Sequence, residues 1–401
     1  MHKLYFLIPI FSWLFINGIK QVNDYQQEKP LPKDSVVTIT ISTVGDLMCH
    51  SVEYNYAKVS PDSFNFNPFF NYIKPYLSKS DFLFGNMETV LAGKKKGYSG
   101  YPLFNSPSAF LAPLKNVGFD LVTTANNHAL DKGRKGLLNT IRELKKYKLN
   151  YDGTFISQQD RDSIRIFNIK GIQTAFLAYT YGTNGNVISK GEDYLINIID
   201  TTLIKKDILS ARKDGAEIVI VYFHFGQEYS RTPSEFQKTI VTKTIKYGAD
   251  IIIGGHPHVI QPVEFFKTKH AKLDSGFVAY SVGNFLSNQR WRYSDAGVIL
   301  TIHITKNFNT DSIYISKISF LPTWVYKGKT TEGKKYLILP AKLTNADSSL
   351  TFLTKNDKFK MKQAFNDTKN ILTKYTKDIF VQNLDTNYTF DKKCKLKCIQ
   401  N

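Results

Sequence analysis

The stretch from Gly248 to Pro262, a short apolar run followed by two histidines, most constrains how this chain can fold. Ile251–Ile253 is a β-branched run bounded by glycines, which is typical of a strand buried on both faces. Gly254 and Gly255 allow the backbone to turn sharply where this strand ends. His256 and His258 would then lie at the carboxyl end of the strand, where open α/β sheets bind ligands. Taken alone, the pair is also compatible with two histidines at the surface or at the edge of a core.

Four other predicted strands end in polar side chains of the same kind, and they cover residues 36–44, 81–84, 119–124 and 217–223. Each such side chain could be an ordinary loop cap. Five strands of one parallel sheet would, however, bring their carboxyl ends to one edge. The side chains that follow the five strands are Asp46 and His50, Glu88, Asn127 and His128, His224, and His256 and His258.

Carboxylate, amide and imidazole groups in such a mixture suit borderline divalent ions such as Mn²⁺, Fe²⁺ or Zn²⁺. A carboxylate between two sets of ligands can bridge two ions, and water held between the ions becomes a nucleophile near neutral pH. The pattern therefore predicts a two-metal cleft at the strand ends.

The same series of motifs resembles the calcineurin-like metallophosphoesterase superfamily, and more closely its CapA branch, the poly-gamma-glutamate capsule biosynthesis proteins. The resemblance extends over about residues 38–325. Its motifs are Gly45-Asp46-Leu47-Met48, Asn86-Met87-Glu88, Asn126-Asn127-His128-Ala129-Leu130-Asp131, His224-Phe225-Gly226-Gln227-Glu228-Tyr229, His256-Pro257-His258-Val259-Ile260-Gln261 and Ser281-Val282-Gly283-Asn284-Phe285.

The resemblance implies a role for each matching residue. Asp46 and His258 would bind the first ion, with His50 as a further candidate ligand. The second ion would be bound by Asn127, His224 and His256. Glu88 would stand where the superfamily has a bridging aspartate. His128 would protonate the leaving oxygen or donate to the developing charge.

This chain departs from the superfamily pattern at two positions. The first superfamily motif is Asp-x-His, whereas here His50 lies four residues after Asp46, so its role as a ligand is open. Glu88 is one methylene longer than aspartate, which would alter the spacing of the ions or weaken one site. Cys49 is either a soft ligand or a small buried hydrophobic residue, and the second reading is favoured.

Three other residues are candidates for substrate contact or for support of the site. Asp131 would orient His128 or cap the helix that begins near Gly133. Glu228 would reach the substrate pocket or remain a loop anion. Asn284 would shape a turn or contact substrate.

The chain carries 53 lysines and arginines against 34 acidic residues, for a formal net charge of +19. Only eight of the basic residues are arginines, which with the abundant Asn, Ile, Tyr and Phe indicates an AT-rich genome. Attraction to a polyanion or an anionic surface is the alternative. No basic block accompanies a nucleic-acid motif, so nucleic acid is not an expected partner.

We divide the chain into four parts. Residues 1–19 are predicted to be a signal peptide or membrane anchor, because an apolar run follows Lys3. Residues 20–35 would be a linker, 36–325 the CapA-like domain, and 326–401 a C-terminal extension. The extension contains a predicted basic helix over residues 355–376, which either covers the sheet or lies on a membrane, and two cysteines, Cys394 and Cys398, that could form a local disulfide.

The resemblance implies an α/β fold: a four-layer α/β/β/α sandwich of two mixed sheets flanked by helices. The alternating strands and helices agree with it. Three functions follow as hypotheses: a role in synthesis or export of an anionic polymer such as polyglutamate, a metal-dependent phosphoesterase of unknown substrate, and a non-catalytic assembly component. We expect export to the cell envelope, an anionic polymer or phosphoester substrate, and a membrane-bound polymer-synthesis complex as partner. The sequence does not indicate an oligomeric state.

Overall fold

The computed structural model describes residues 36–268, 272–273, 275–342 and 350–382. The predicted signal peptide or anchor (1–19), the linker (20–35) and the Cys394–Cys398 pair lie outside the described residues. Within the described ranges, no helix combines the length and the apolar composition that crossing a membrane requires.

The described residues form 17 strands, most of them in two large sheets. In chain order they are β1 Val36–Leu47, β2 Lys58–Ser60, β3 Ser63–Phe64, β4 Phe82–Met87, β5 Leu121–Thr123, β6 Asn150–Asp152, β7 Arg165–Ile169, β8 Ile172–Thr180, β9 Ile218–His224, β10 Ile251–Gly255, β11 Val263–Lys267, β12 Ser275–Ala279, β13 Asn284–Leu286, β14 Ala296–Asn307, β15 Ser312–Thr330, β16 Gly333–Pro340 and β17 Ile379–Val381.

Eight α-helices are interspersed with these strands. They are α1 Ser51–Ala57, α2 Lys74–Leu77, α3 Leu111–Asn116, α4 Gly133–Lys146, α5 Gln158–Asp162, α6 Thr201–Lys213, α7 Glu235–Tyr247 and α8 Lys355–Leu372. Short 3₁₀ turns cover Asn67–Phe70, Lys94–Lys96, Ser108–Phe110 and Asp193–Leu195.

Both large sheets are mixed. The first has the order β16-β15-β14-β1-β4-β5-β6, with β13 paired to β1 and β17 to β15. Its strands β1, β4, β5 and β6 are parallel, whereas β14 runs antiparallel to β1. The second sheet has the order β11-β12-β10-β9-β8-β7, in which β8, β9, β10 and β12 are parallel. The predicted site residues lie at or just after the carboxyl ends of β1, β4 and β5 in the first sheet and of β9 and β10 in the second. The expectation that one parallel sheet supplies all five strands is therefore wrong, because the site forms where the edges of two packed sheets meet.

The two sheets pack face to face around a shared core. Successive side chains of a strand point to opposite faces of its sheet, so alternate residues enter this core. In β9, Ile218 and Ile220 enter the core between the sheets, together with Ile41 of β1. Val219 and Val221 point the other way and pack on helices α6 and α7.

Helices α3 and α4 cover the outer face of the first sheet. Helix, sheet, sheet and helix thus form four layers, and the predicted α/β/β/α sandwich is confirmed.

The first sheet continues past residue 325, where the sequence analysis ended the domain. Strand β15 extends to Thr330 and pairs with β16 and β17. Helix α8 corresponds to the predicted basic helix, and it covers this end of the sheet. Its Met361 and Ala364 pack in a cluster with Trp324 of β15 and Leu339 of β16.

We predict that Met361→Ala lowers the free energy of unfolding by about 2–5 kcal/mol, because the Met361 side chain is fully buried between α8 and the sheet and its truncation leaves a cavity. Chemical denaturation of the whole chain measures the change. The control is Lys362→Ala on the exposed side of the same helix, with an expected change within about 0.5 kcal/mol. Equal, small effects of the two changes would contradict the packing of α8 on the sheet.

Candidate metal centre

Asp46 lies at the end of β1, fully buried, and is contacted from both sheets. Its Oδ1 accepts a hydrogen bond from Asn86 Nδ2 at 2.8 Å and one from the Tyr222 hydroxyl at 3.4 Å. Its Oδ2 accepts from the backbone N–H of His256 at 3.2 Å and lies 3.2 Å from His258 Nδ1. Burial alone would raise the pKa of Asp46, but the hydrogen bond from His258 and the imidazole charges lower it to about 2. The side chain is therefore a carboxylate at neutral pH.

The loop after β10 brings His256 and His258 against this carboxylate. A Cβ on Gly255 would lie 2.0 Å from the Tyr222 hydroxyl oxygen and 2.7 Å from Asp46 Oδ1, so only glycine fits there. His256 and His258 both adopt positive φ angles, 92° and 58°. Such backbone conformations are uncommon outside glycine and concentrate at functional sites.

His258 is held in place by two oxygen atoms. Its Nδ1 lies 3.1 Å from Asn284 Oδ1 as well as 3.2 Å from Asp46 Oδ2. Burial would lower the pKa of His258, but the charge of Glu88 and the contact with Asp46 outweigh burial and raise it to about 9. Asn284 thus orients a site histidine from β13, the strand that pairs with the end of β1.

Glu88 directly follows β4 and occupies the middle of the cluster. Its Oε1 lies 3.6 Å from His224 Nε2, 3.8 Å from His258 Nε2 and 4.0 Å from His128 Nε2. Although fully buried, this oxygen has no hydrogen-bond partner among the described residues. Burial raises the pKa of Glu88 to about 8. A cation bound among these side chains would stabilise the carboxylate, which burial otherwise disfavours.

His224, at the end of β9, contacts two amide side chains. Its Nε2 lies 2.9 Å from Asn127 Oδ1, and its Nδ1 lies 3.2 Å from Asn86 Nδ2. Since an amide nitrogen donates, Nδ1 accepts from Asn86 and Nε2–H donates to Asn127. Burial lowers the pKa of His224 to about 3, so the imidazole is neutral. Neutral imidazole is the form that binds metal ions.

Two groups of three side chains have ligand atoms within 4.8 Å of one another: Glu88, His256 and His258, and Asp46, Glu88 and His224. Both contain Glu88, as a bridging carboxylate would require. The resemblance had instead paired His258 with Asp46 and His256 with His224.

The residues fit a divalent cation on chemical grounds. Besides Glu88 Oε1, the buried His256 Nδ1 has no hydrogen-bond partner in the described part of the chain. Burial lowers the pKa of His256 well below its usual value, which keeps the ring neutral. A buried polar atom without a partner lowers the stability of the fold, and a cation that accepts the lone pair of such an atom would offset this loss.

His128 forms a pair with Asp131 beside the cluster. Its Nδ1 lies 2.8 Å from Asp131 Oδ2, which also accepts the backbone N–H of Phe104 at 2.7 Å. With Nδ1–H held in this way, Nε2 points toward Glu88. Asp131 therefore orients His128, the first of the two roles considered for it, and α4 has no side-chain cap at its N-terminus.

His50 is placed differently from the other candidate ligands. It is in neither three-residue group of the described chain. Its Nδ1 lies 3.3 Å from Glu53 Oε1 and accepts the backbone N–H of Asn288 at 3.3 Å. The neighbouring Cys49 is fully buried, and burial raises the pKa of its thiol well above the usual value. Cys49 thus has the burial and suppressed ionisation of a small core residue.

Glu228 lies exposed on the loop after β9. Burial and the charge of Glu228 together raise the pKa of the neighbouring Tyr229 to about 12. The charge of Glu228 also acts on Glu88 and His258, and its contact with substrate stays a prediction.

Sequence reasoning missed two residues that hold the cluster together, Asn86 and Tyr222. Asn86 donates to Asp46 and lies within hydrogen-bond distance of His224, while Tyr222 reaches Asp46 from the second sheet. A signal existed for Asn86, because residues two apart on a strand share a face and Asn86 precedes Glu88 by two. For Tyr222 none existed, since its role depends on how the two sheets pack.

Exposed aromatic side chains around the cleft were also missed. The Tyr181 ring centroid lies 4.6 Å from that of His256, and the Tyr229 centroid lies 6.1 Å from that of His258. Trp291 packs against Tyr229 at 5.2 Å. These residues come from separate loops, so no local pattern brings them together before folding.

The chain is similar in sequence to known proteins. The family model for "Bacterial capsule synthesis protein PGA_cap" matches residues 40–289. The capsule biosynthesis protein CapA of Bacillus anthracis is 30% identical over 276 residues, covering 67% of this chain and 64% of that protein. The PGA biosynthesis protein CapA of Bacillus subtilis is 28% identical over 272 residues, covering 67% and 68%. This chain thus spans less than two thirds of the B. anthracis relative.

Two solved structures are similar at low identity. Haemophilus influenzae NAD nucleotidase matches with a TM-score of 0.45 and 15% identity, covering 88% of this chain and 65% of that one. The calcineurin-like phosphoesterase YfkN from Bacillus subtilis matches with a TM-score of 0.41 and 13% identity, covering 84% and 99%. The family-model match extends over more than half of the sequence and contains every candidate ligand, and the chain belongs to the bacterial capsule synthesis protein (PGA_cap) family.

Proposed function

We propose that this protein acts in the synthesis or export of an anionic capsule polymer of the poly-gamma-glutamate class, through a cleft that holds two divalent ions. The observation that carries the metal site is Glu88, whose buried, unpartnered Oε1 lies within 4.0 Å of three imidazole nitrogens. The names of the two CapA relatives support the polymer class.

Asp46, Glu88, Asn127, His224, His256 and His258 would hold the ions. Ions of the Mn, Fe or Zn class would supply Lewis-acid polarisation of the bond to be broken and an activated water. Glu88 is the natural bridging group because both three-residue groups contain it. Asn86 and Asn284 would keep Asp46 and His258 oriented, as outer hydrogen bonds do in metal sites.

The chain's own acid would be His128. Asp131 fixes the proton on Nδ1 and thereby leaves Nε2 facing the cleft. In its protonated form Nε2 would donate a proton to the leaving oxygen or nitrogen, and Asp131 would stabilise the imidazolium. The reaction class is thus metal-assisted hydrolysis or transfer.

A metal-dependent phosphoesterase acting on another substrate is the second candidate. The His128–Asp131 pair supports this candidate as well, because a positioned acid can protonate the leaving oxygen of a phosphoester. Location in the cell envelope, a membrane-bound synthesis complex as partner and export through the predicted segment 1–19 belong to the first proposal. If the tests below find neither bound metal nor turnover, they will support the third hypothesis, a non-catalytic assembly component.

We predict that Glu88→Ala removes both ions together, because Glu88 belongs to both groups of ligands. His256→Ala should remove one ion, because His256 belongs to one group only. Metal analysis of the purified protein by mass spectrometry measures the stoichiometry. The control is His303→Ala on β14, whose ring contacts Ser319 away from the cleft. Loss of a single ion in Glu88→Ala would contradict bridging.

We predict that His128→Ala lowers kcat by roughly 10²- to 10⁴-fold while metal content stays unchanged, because the proton donor is lost and the ligands remain. The measurement is turnover of a γ-linked glutamate oligomer and of p-nitrophenyl phosphate by the wild type, by His128→Ala and by the control His303→Ala. Turnover of the oligomer supports the polymer role, and turnover of the phosphoester alone supports the second candidate. A metal-free wild type inert toward both would refute the enzyme proposals.

A further inference from the structure

A second feature of the molecule lies outside the metal cleft, where helix α4 packs against the loop that follows Glu88. The two segments line a cavity of about 320 Å³ that is open to solvent at the surface. Its wall carries three basic side chains, Lys96 from the loop and Lys135 and Arg142 from α4. The residues that line it include no acidic side chain.

Hydrogen bonds between the loop and its neighbours fix the shape of this cavity. The backbone N–H of Leu91 donates to Thr140 Oγ1 at 2.8 Å, and Asn139 Nδ2 donates to the Leu91 carbonyl. From the other side of the loop, Asn105 accepts the N–H of Ala92 at 2.7 Å and donates to two loop carbonyls. The loop is therefore held against the helix before any ligand arrives.

A missing side chain contributes to the close approach of helix and loop. A Cβ on Gly136 would lie 2.6 Å from the Cβ of Lys132 and 3.6 Å from that of Ala92. Arg142 is also positioned, because its Nη2 donates to Asn139 Oδ1, whose amide nitrogen in turn holds the loop.

Two acidic residues of this region pair with basic residues that do not line the cavity, and Glu143 of α4 directly follows Arg142. Asp62 pairs with Lys94 at 2.6 Å, and Glu192 pairs with Arg134 at 2.5 Å. Among the described residues, neither Lys96 nor Lys135 forms an ion pair. Like charges gathered on one wall repel one another, and an anion between them removes the repulsion.

The cavity is larger than a single small anion needs, and its volume falls at the low end of the range for organic ligands. Further basic side chains continue from it, with Lys95 on the loop and Lys145 and Lys146 in the last turn of α4. A strip of cations leading into a shaped cavity suits a chain of repeated negative groups.

We propose that this cavity is a second binding site, which takes a segment of a polymer carrying repeated carboxylate or phosphate groups. Helix α4 begins two residues after Asp131, the residue that orients His128. A polymer held along α4 would therefore run from the end of the helix that adjoins the cleft. Its identity as the polymer that reacts there rests on the proposed function, whereas the binding itself does not.

The test compares two triple variants of the full chain that remove the same charge. One is Lys96→Gln with Lys135→Gln and Arg142→Gln; the matched control is Lys355→Gln with Lys358→Gln and Lys362→Gln on the exposed side of α8. Fluorescence anisotropy of labelled poly-γ-glutamate and of labelled polyphosphate, over a range of salt concentrations, measures binding. We expect about tenfold or greater weakening in the cavity variant and less than twofold in the control.

The outcomes separate a local site from general attraction to a basic protein. Equal weakening in both variants, or none in either, would overturn the proposal. The probe that the cavity variant loses more strongly identifies carboxylate or phosphate as the ligand group. Metal content and p-nitrophenyl phosphate turnover should stay at wild-type values in the cavity variant. A protein without turnover that still loses polymer binding would refute the proposed function and leave the second site standing.

Discussion

The carboxylate of Asp46 is the interaction on which the rest of the site depends. It ends a strand of the first sheet, yet two of its hydrogen bonds come from the second sheet, through the Tyr222 hydroxyl and the His256 backbone. Full burial would normally disfavour its charge, but His258, His224 and Asn86 lower the pKa of Asp46 to about 2 and keep it ionised. The glycine at position 255 lets the two sheet edges meet closely enough for this contact. One buried negative charge thus couples the alignment of the sheets to the placement of the histidines.

Much of this arrangement follows from the sequence, because parallel strands bring their carboxyl ends together. Runs such as Ile251–Ile253 predict buried strands, and the polar residues after them lie at the carboxyl ends of those strands, with Glu88 in the first sheet and His224 and His258 in the second. What the sequence does not encode locally is the contact between sheets. Tyr222 and Asp46 are 176 residues apart, and only the packing of two layers places them together.

The differences in detail have similar physical causes. His50 follows the correct strand, but α1 begins directly after it, and its ring contacts Glu53 of that helix instead of either ligand group. His256 and His258 lie in the same three-residue group with Glu88, and both have positive φ angles that composition does not reveal. The end of the domain escaped detection because β15 continues unbroken through residue 325.

The His256–Asp46 contact has a consequence for the unfolded chain as well as for chemistry. These residues are 210 positions apart. A cation shared by Asp46, Glu88 and His224 would likewise close a long loop between the two sheets. A closed long loop restricts the denatured ensemble, much as a disulfide does, and an ion that binds only the folded state adds to stability by mass action. Metal supply would then act as a reversible cross-link between the layers, so that the protein's resistance to unfolding and proteolysis would follow the ion content of its surroundings.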